Sequence, residues 1–389
     1  MLKATKVRLY PTPDQCQSLA FQFGAMRWAY NFALNWRQAA WSESSERISK
    51  RMLLDRLLDL NVAADTQWLK AADSQALQQS VIHLDAAFRW FFRRQGGYPR
   101  FKSKRGKQAL SYPRRVKVVD GTALYLPKVG TVRAVLHRAL VGKIKTVTVT
   151  GTPTGKYDAS IRCDDRQVPP EPVRVITGDK ITVMELGLSH LAVVSTGEKQ
   201  RTPRFVKRAS ENLRRKQKSL SRKKNGAANR TKARVLVAKA HEKTANTRND
   251  FQHQLSRRLI DESQAIGVET LRVKNLLKNR KLAKYIADVS WGELVRKLVC
   301  KAAWAGKHLV KIDPWYASSK TCSCCGSKIE SSPLSVRQWI CSTCGTEHDR
   351  DLNAAPNIRQ QGILKLKSAG LCVSACGGWH KTSILPSVA

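Results

Sequence analysis

Hydrophobic positions along this chain change period several times, and each change marks a different kind of element. Near the start, "KATKVRLYP" alternates basic and apolar residues, the period of a strand with one wet, cationic face carrying Lys3, Lys6 and Arg8. "PTPDQ" then supplies a helix start with Pro13 and Asp14. Residues 14–94 follow a helical period, and Leu77, Val81, Leu84, Phe88 and Phe91 recur at spacings of three and four as one apolar face. A small helical bundle is expected there, with its Trp, Phe and Tyr side chains read as core. Glycine and proline in "GGYPRFKSKRGKQ" (96–108) break the pattern. From about 110 to 173, runs such as "RVKVVD", "TALYLP" and "KTVTVTGT" alternate with turn residues, which predicts a small barrel that the first strand joins. "VPPEPV" (168–173) reads as a linker.

The second half opens on "ITVMELGLSHLAVVSTGEK", a strand, a tight turn at Gly187 and a second strand. Residues 201–240 carry fifteen Lys/Arg and one acid, Glu211, yet keep helix formers and an apolar stripe that continues to "LIDE". A long basic helix pair is therefore expected. "AIGVETL" (265–271) and "HLVKID" (308–313) read as short buried strands, and the segment from 366 onward as a disordered tail. No run of eighteen apolar residues predicts a membrane span, and "MLKATKVRLYPTP" lacks the apolar core of a secretory signal.

Charge narrows the function. Against 29 Asp and Glu stand 70 Lys and Arg, a net +41. A field of that size works against folding unless a polyanion lies on it, and nucleic acid is the polyanion of matching extent. The basic runs lack the large apolar face of an interfacial helix, which argues against a membrane surface. A cytoplasmic, DNA-associated protein is the expectation. In 96–108 the aromatics Tyr98 and Phe101 interleave with Arg100, Lys102, Lys104 and Arg105, a pattern suited to gripping a nucleic-acid backbone. On the basic helices Arg214, Arg215, Lys218, Arg222, Lys223 and Lys224 are placed to track phosphates without reading sequence.

"CSCC" and "CSTC" give C-x2-C, fifteen residues, C-x2-C. Two thiolates at that spacing bite one tetrahedral ion, so Cys322, Cys325, Cys341 and Cys344 are assigned to a zinc, with Cys324 outside the set. Four protein ligands leave no open position, so this zinc is structural. Cys16, Cys163 and Cys300 read as buried thiols, and Cys372 and Cys376 as unpaired residues of the tail. In so basic a chain three acids on ordered segments stand out: Glu185, Glu269 and Asp351. Carboxylates converging from separated segments are what a two-metal phosphodiester site needs.

That order of strand acid, strand acid, cysteine ribbon and helix acid resembles the TnpB family of insertion-sequence proteins, relatives of the compact type V CRISPR effectors. The resemblance runs through "MLKATKVRLYPTPDQ", "ALQQSVIHLDAAFRWFF", "YPRFKSKRGKQ", "LGLSHLAVVSTGE", "VETLRVKNLLKNRKLAKYIADVSWGEL", "YASSKTCSCCG", "CSTCGTEHDRDLNAAPNI" and "SACGG". It implies a multidomain α+β fold. A wedge β-barrel (1–13 and 96–173) holds an inserted helical recognition domain (14–95), and an RNase H-like RuvC domain (174–315 and 348–365) carries a zinc ribbon (316–347). The implied partners are a guide RNA and a double-stranded DNA target beside a short flanking motif, with sequence specificity delegated to base pairing. The implied cofactors are structural Zn and, at a working acid site, Mg.

One departure matters. Where the family has Gly-hydrophobic-Asp-Leu-Gly, this chain has Val183-Met184-Glu185-Leu186-Gly187. Glutamate carries its carboxylate roughly 1 Å further from the strand, and a misplacement of that size costs about a hundredfold in rate. Val183 adds a branched side chain beside the site, which works against accommodation. The preferred reading is a nuclease-deficient relative that represses transcription by occupying guide-matched DNA. The alternative is an active Mg-dependent endonuclease of a transposon. An ordinary DNA-binding factor would show a compact major-groove reader such as helix-turn-helix, and none is evident in the pattern.

Overall fold

Alternation in the first strand, β1 (Leu2–Tyr10), buries Val7 and Leu9 and leaves Lys6 and Tyr10 outside. Thr12 then caps α1 (Pro13–Ser44): its hydroxyl accepts the Gln15 N–H while the Gln15 side chain accepts the Thr12 N–H, with proline at the first helical position. The computed structural model describes residues 1–188, 190–194, 198–329, 336 and 338–374, the side chain of residue 61 aside. The chain divides into two compact units, Met1–Val168 and a second from Pro169 onward, and the division falls inside the expected linker.

In the first unit α2 (Lys50–Val62) and α3 (Ser74–Phe92) complete the helical segment. Leu77, Val81, Leu84 and Phe88 of α3 are buried as their spacing requires. The aromatics follow the core reading only in part: Phe23, Tyr30 and Phe88 are buried, but Trp41, Trp90 and Phe92 are 55%, 62% and 74% exposed. Strands β2 (Gln108–Tyr112), β3 (Lys117–Val119), β4 (Ala123–Leu126), β5 (Gly130–Val135), β6 (Lys143–Gly151) and β7 (Tyr157–Asp164) join β1 in one antiparallel sheet of order β2-β6-β7-β1-β5-β4-β3. The first strand belongs to it as expected, but the sheet is an open half-barrel. Its edges are β2, against which α1 and α3 pack, and β3, only three residues long. A covered edge and a very short edge are two ways to end a sheet without closing it.

The second unit is built on β8 (Val175–Thr177), β9 (Ile181–Glu185), β10 (His190–Val194), β11 (Lys199–Arg201), α4 (Phe205–Ser221), α5 (Ala228–Glu262), β12 (Ala265–Glu269), α6 (Val273–Leu276), α7 (Ala283–Val289), α8 (Trp291–Trp304), β13 (His308–Ile312), β14 (Gln338–Ile340), β15 (Glu347–Asp349), α9 (Arg350–Ser368) and β16 (Cys372–Ser374). The mixed sheet has the order β11-β10-β9-β12-β13, with β9, β12 and β13 parallel and β10 and β11 antiparallel. Both faces are covered, which is why its strands read as near-continuous apolar runs. Met184, Ile266 and Val268 face α5 and α8, while Ile181, Val183, Ala265 and Ile312 face Ala354, Ile358 and Leu366 of α9.

Two expectations are corrected here. Residues 366–374, expected to belong to a tail, are ordered: Leu366 is buried in α9, and β16 pairs in parallel with β8, Cys372 opposite Val175. Leu371 and Val373 pack on the Ile176 core, a contact too short and too distant in sequence to show as a pattern. Cys376 lies outside the described residues. Of the three thiols read as buried, Cys163 is; Cys16 and Cys300 are only half-buried.

The fit between β9 and β12 turns on one pair. Val183 is fully buried, and a methyl group added at Gly267, its partner on β12, would lie 2.9 Å from its Cγ2. Valine is stiff about χ1 and cannot swing clear. The absent side chain at Gly267 therefore makes the space that Val183 fills. Gly267→Val is expected to destabilise the chain by about 1–3 kcal/mol through overpacking. Adding Val183→Gly should recover part of that loss, as measured by urea denaturation of all four chains in a double-mutant cycle. Strictly additive losses would show that the two positions do not share the space.

Candidate active site and metal centre

Residues pair across β9 and β12 as Ala265 with Ile181 through Val268 with Met184. One step further, Glu185 and Glu269 are the last residues of neighbouring parallel strands, at the end where open α/β sheets bind ligands. By strand alternation both share a face with Val183 and Gly267, the face α9 covers. The Leu186 N–H approaches Oε2 of Glu269 at 3.5 Å, so this carboxylate reaches across to β9 beside Glu185. Burial raises the pKa of Glu269 above the ordinary carboxylate value, against the pull of that N–H.

The third acid comes from α9. Asp349 caps this helix, accepting the N–H groups of Asp351 and Leu352 at 3.0 Å each. Asp349 is also 3.2 Å from the Lys199 ammonium. Lys199 pairs with Val193, and Val193 with Glu185, so this contact ties the start of α9 to the sheet row that contains Glu185. Asp351 lies on the helical stripe of Ala354 and Ile358, which pack on the Val183 face. The three acids are thus carried by elements at one end and on one face of the sheet, while among the described residues only the four cysteines gather their ligand atoms within 4.8 Å. The oxygen donors of the acids suit a hard divalent cation such as Mg²⁺. A cleft of about 430 Å³ opens beside Glu269, bordered also by Leu186, Arg296 and Lys311.

The four cysteines converge: the Sγ atoms of Cys322, Cys325, Cys341 and Cys344 all lie within 4.8 Å of one another. Cys322 to Cys344 is 3.7 Å and Cys325 to Cys341 is 3.6 Å. Tetrahedral zinc with Zn–S near 2.3 Å requires sulfurs about 3.8 Å apart, so the cluster fits that ion. The two knuckles repeat one design. Gly326 and Gly345, at φ 80° and 69°, donate back to the carbonyls of Cys322 and Cys341, a turn only glycine enters without strain. Cys324 is exposed and outside the cluster. The Ser327 hydroxyl and the Cys344 backbone N–H lower the pKa of Cys341 to about 5, whereas burial raises that of Cys322 to about 12.

The sequence reading missed several neighbours. His348 is buried with Nε2 3.0 Å from Cys322 Sγ, and its ring lies 4.7 Å from that of Trp339. Lys199 and Asp349, which hold the start of α9, carry no local signal, since their contact joins residues 150 apart in sequence. Asn353 and Asn357 are buried on an adjacent stripe of α9; two asparagines at a spacing of four inside a helix were the visible hint.

The proposed cationic residues fall into different classes. Lys3 pairs with Asp165 at 2.8 Å, and Lys6 and Arg8 with Asp158 at 3.1 and 3.5 Å, so the cationic face of β1 is largely answered by acids of β7 and the turn after it. Only the strand order reveals those partners. Tyr98 packs edge-on against Phe88 and Phe91, 5.5 and 5.2 Å between centroids. Phe101 is exposed and borders an aromatic cleft with Trp28 and Trp68. Asn31 holds the loop by exchanging two hydrogen bonds with the Lys102 backbone. The Lys102 ammonium lies 3.8 Å from the Tyr30 ring centroid, and partial desolvation lowers its pKa to about 8. Arg100, Lys104, Arg105, Arg214, Arg215, Lys218, Arg222, Lys223 and Lys224 are exposed, with no ion-pair partner among the described residues. No described helix is long and apolar enough to cross a membrane.

Comparison with known proteins gives a consistent result. Three family profiles match: the OrfB_IS605 transposase profile over residues 167–280, the Cas12f1-like TNB domain over 291–358, and the OrfB_IS605 helix-turn-helix domain over 1–46. The last of these covers β1 and the single continuous helix α1. A candidate RNA-guided DNA endonuclease of Streptomyces pristinaespiralis is 38% identical over 379 residues, 96% of this chain and 91% of that one. A candidate RNA-guided DNA endonuclease of Escherichia coli K12, InsQ, is 30% identical over 394 residues, 97% of this chain and 94% of that one. The CRISPR-associated endodeoxyribonuclease Cas12f1 of Sulfoacidibacillus thermotolerans is 30% identical over 142 residues, 36% of this chain and 33% of that one.

Purified protein is expected to carry one equivalent of zinc by elemental analysis. Cys341→Ser should lose it and Cys324→Ser should keep it. Loss in both variants would mean that the metal is held by a different set.

Proposed function

Because the chain belongs to the TnpB family, we propose that it is an RNA-guided DNA-binding protein whose three acids at one end of the mixed sheet form a divalent-metal site for cutting DNA strands. The observation that carries this reading is the placement of Glu185 and Glu269 at the ends of adjacent parallel strands, under the helix whose first turn holds Asp351. In this reading the open seven-stranded sheet is the wedge and α1 to α3 the recognition domain. The mixed sheet with α9 is the RNase H-like RuvC domain, and 316–347 is its zinc ribbon. The exposed cations of α4 and the turn after it, with those of 96–108, grip the guide RNA and the heteroduplex backbone, leaving sequence choice to base pairing.

At the acid site Glu185, Glu269 and Asp351 would hold Mg²⁺ through carboxylate oxygens. Bound there, a pair of ions supplies stabilisation of the attacking and leaving oxygens of a phosphodiester displacement. The room that Gly267 leaves for Val183 supports this reading, since one of the two departures packs within the sheet. Glu185 is the other, and it supports a second reading. With its longer arm the site holds metal too poorly to cut, and the protein represses transcription by occupying guide-matched DNA.

One experiment separates the two. RNA-loaded protein is mixed with matched duplex DNA in Mg²⁺ beside Glu185→Asp and Asp351→Ala chains, with binding followed in parallel. Cutting by the unaltered protein that is lost in Asp351→Ala supports the nuclease. Binding without cutting, with cutting gained in Glu185→Asp by about a hundredfold, overturns it in favour of the repressor. Absence of co-purified RNA, read as an absorbance ratio that RNase does not change, would overturn both.

A further inference from the structure

The cysteine cluster and the acid-bearing helix are joined by buried hydrogen bonds that the proposed chemistry does not itself require. Asn353 Oδ1 accepts the Ser323 N–H at 2.8 Å, and its Nδ2 donates to the Thr321 carbonyl at 2.7 Å. Asn357 Nδ2 donates to the same carbonyl at 2.6 Å and to that of Ser318 at 2.9 Å. Thr321 and Ser323 flank Cys322, so both asparagines hold the first knuckle by its backbone. Asn353, Asn357, Thr321, Ser318 and Cys322 are all buried. Asparagine is a poor helix former and costs free energy to bury unless its amide is satisfied. At these two positions the amides are satisfied by the knuckle. A second tie comes from the strand just before the helix, where His348 Nε2 lies 3.0 Å from Cys322 Sγ.

We propose that Asn353 and Asn357 are positioning residues that clamp the first cysteine knuckle to α9, so that metal in the ribbon fixes where Asp351 stands. The two asparagines occupy one stripe of α9 and Asp351, Ala354 and Ile358 another, and a hydrogen-bonded helix transmits displacement from one stripe to the other. Losing the ion frees the knuckle, and the knuckle no longer holds the first turn of the helix against the end of the sheet. The inference rests on the proposed metal-binding role of Asp351, while the clamp itself rests on the hydrogen bonds alone.

The test uses the full chain in four forms: unaltered, Asn353→Ala/Asn357→Ala, unaltered after removal of ribbon metal by a zinc-selective chelator that is then dialysed away, and the variant treated likewise. Mn²⁺ binding at the acid site is titrated by electron paramagnetic resonance, zinc content is measured, and amide exchange is followed over 318–325 and 350–358. In the unaltered chain, metal removal should weaken Mn²⁺ binding about tenfold and speed exchange in both segments. The variant should bind Mn²⁺ as weakly while still holding zinc, and chelation should weaken it no further. Native Mn²⁺ affinity and native exchange over 350–358 in the variant, or a full chelation effect on top of the substitutions, would overturn the clamp. Should the unaltered chain bind no Mn²⁺, or bind it equally well as Asp351→Ala, the acid-site reading fails, and the exchange data alone decide the clamp. If circular dichroism shows the alanine pair unfolded, Asn357→Ser replaces it in the same comparison.

Discussion

The second unit depends on the parallel register between β9 and β12, held where a fully buried valine meets a glycine. Val183 fills the space at Gly267, and the Ser263 hydroxyl donates to that of Thr182 at 2.7 Å at the start of the same two strands. Because side chains alternate with period two, a slip of one residue would turn Glu269 to the face of α5 and α8 and leave Glu185 alone under α9. Every further property of the candidate site follows from this register: the shared face, the cleft beside Glu269, and the helix that can deliver Asp351 to it.

The two candidate metal centres are chemically distinct and mechanically continuous. Sulfur donors in a closed tetrahedron suit a structural ion, and oxygen donors at the open end of a sheet suit a reactive one. Between them lies α9, whose cap is held to the sheet by Asp349 and Lys199 and whose buried asparagines are held to the first knuckle. A helix anchored at its start by both parts is a rigid support, which metal chemistry demands because carboxylate placement matters at the scale of about 1 Å.

Charge takes a different course in different places. Along β1 the cations are matched by Asp158 and Asp165, so they contribute more to holding the sheet than to an external field. Along α4 and the turn after it they stand exposed on a helix that buries none of its own residues. The net charge of the chain is thus unevenly available, and the surface that most needs a polyanion is the helical one.

The sequence by itself determined the elements and the chemistry that local spacing encodes. The capping pattern of Thr12 to Gln15, the stripe of α3, the twin cysteine knuckles and the acids at strand ends all depend on residues a few positions apart. What only the tertiary structure decided are relations between distant residues. The sheet is an open half-barrel with β2 and the three-residue β3 as its two edges, a pairing relation among strands far apart in sequence. Residues 366–374 are ordered because a strand there finds β8, almost two hundred residues earlier. Val183 is tolerated because glycine stands at position 267. The amides of Asn353 and Asn357 are satisfied by a knuckle some thirty residues away. Spacing along a chain specifies which groups a segment offers, but burial and partnership are properties of pairs, and pairs form only when the chain folds.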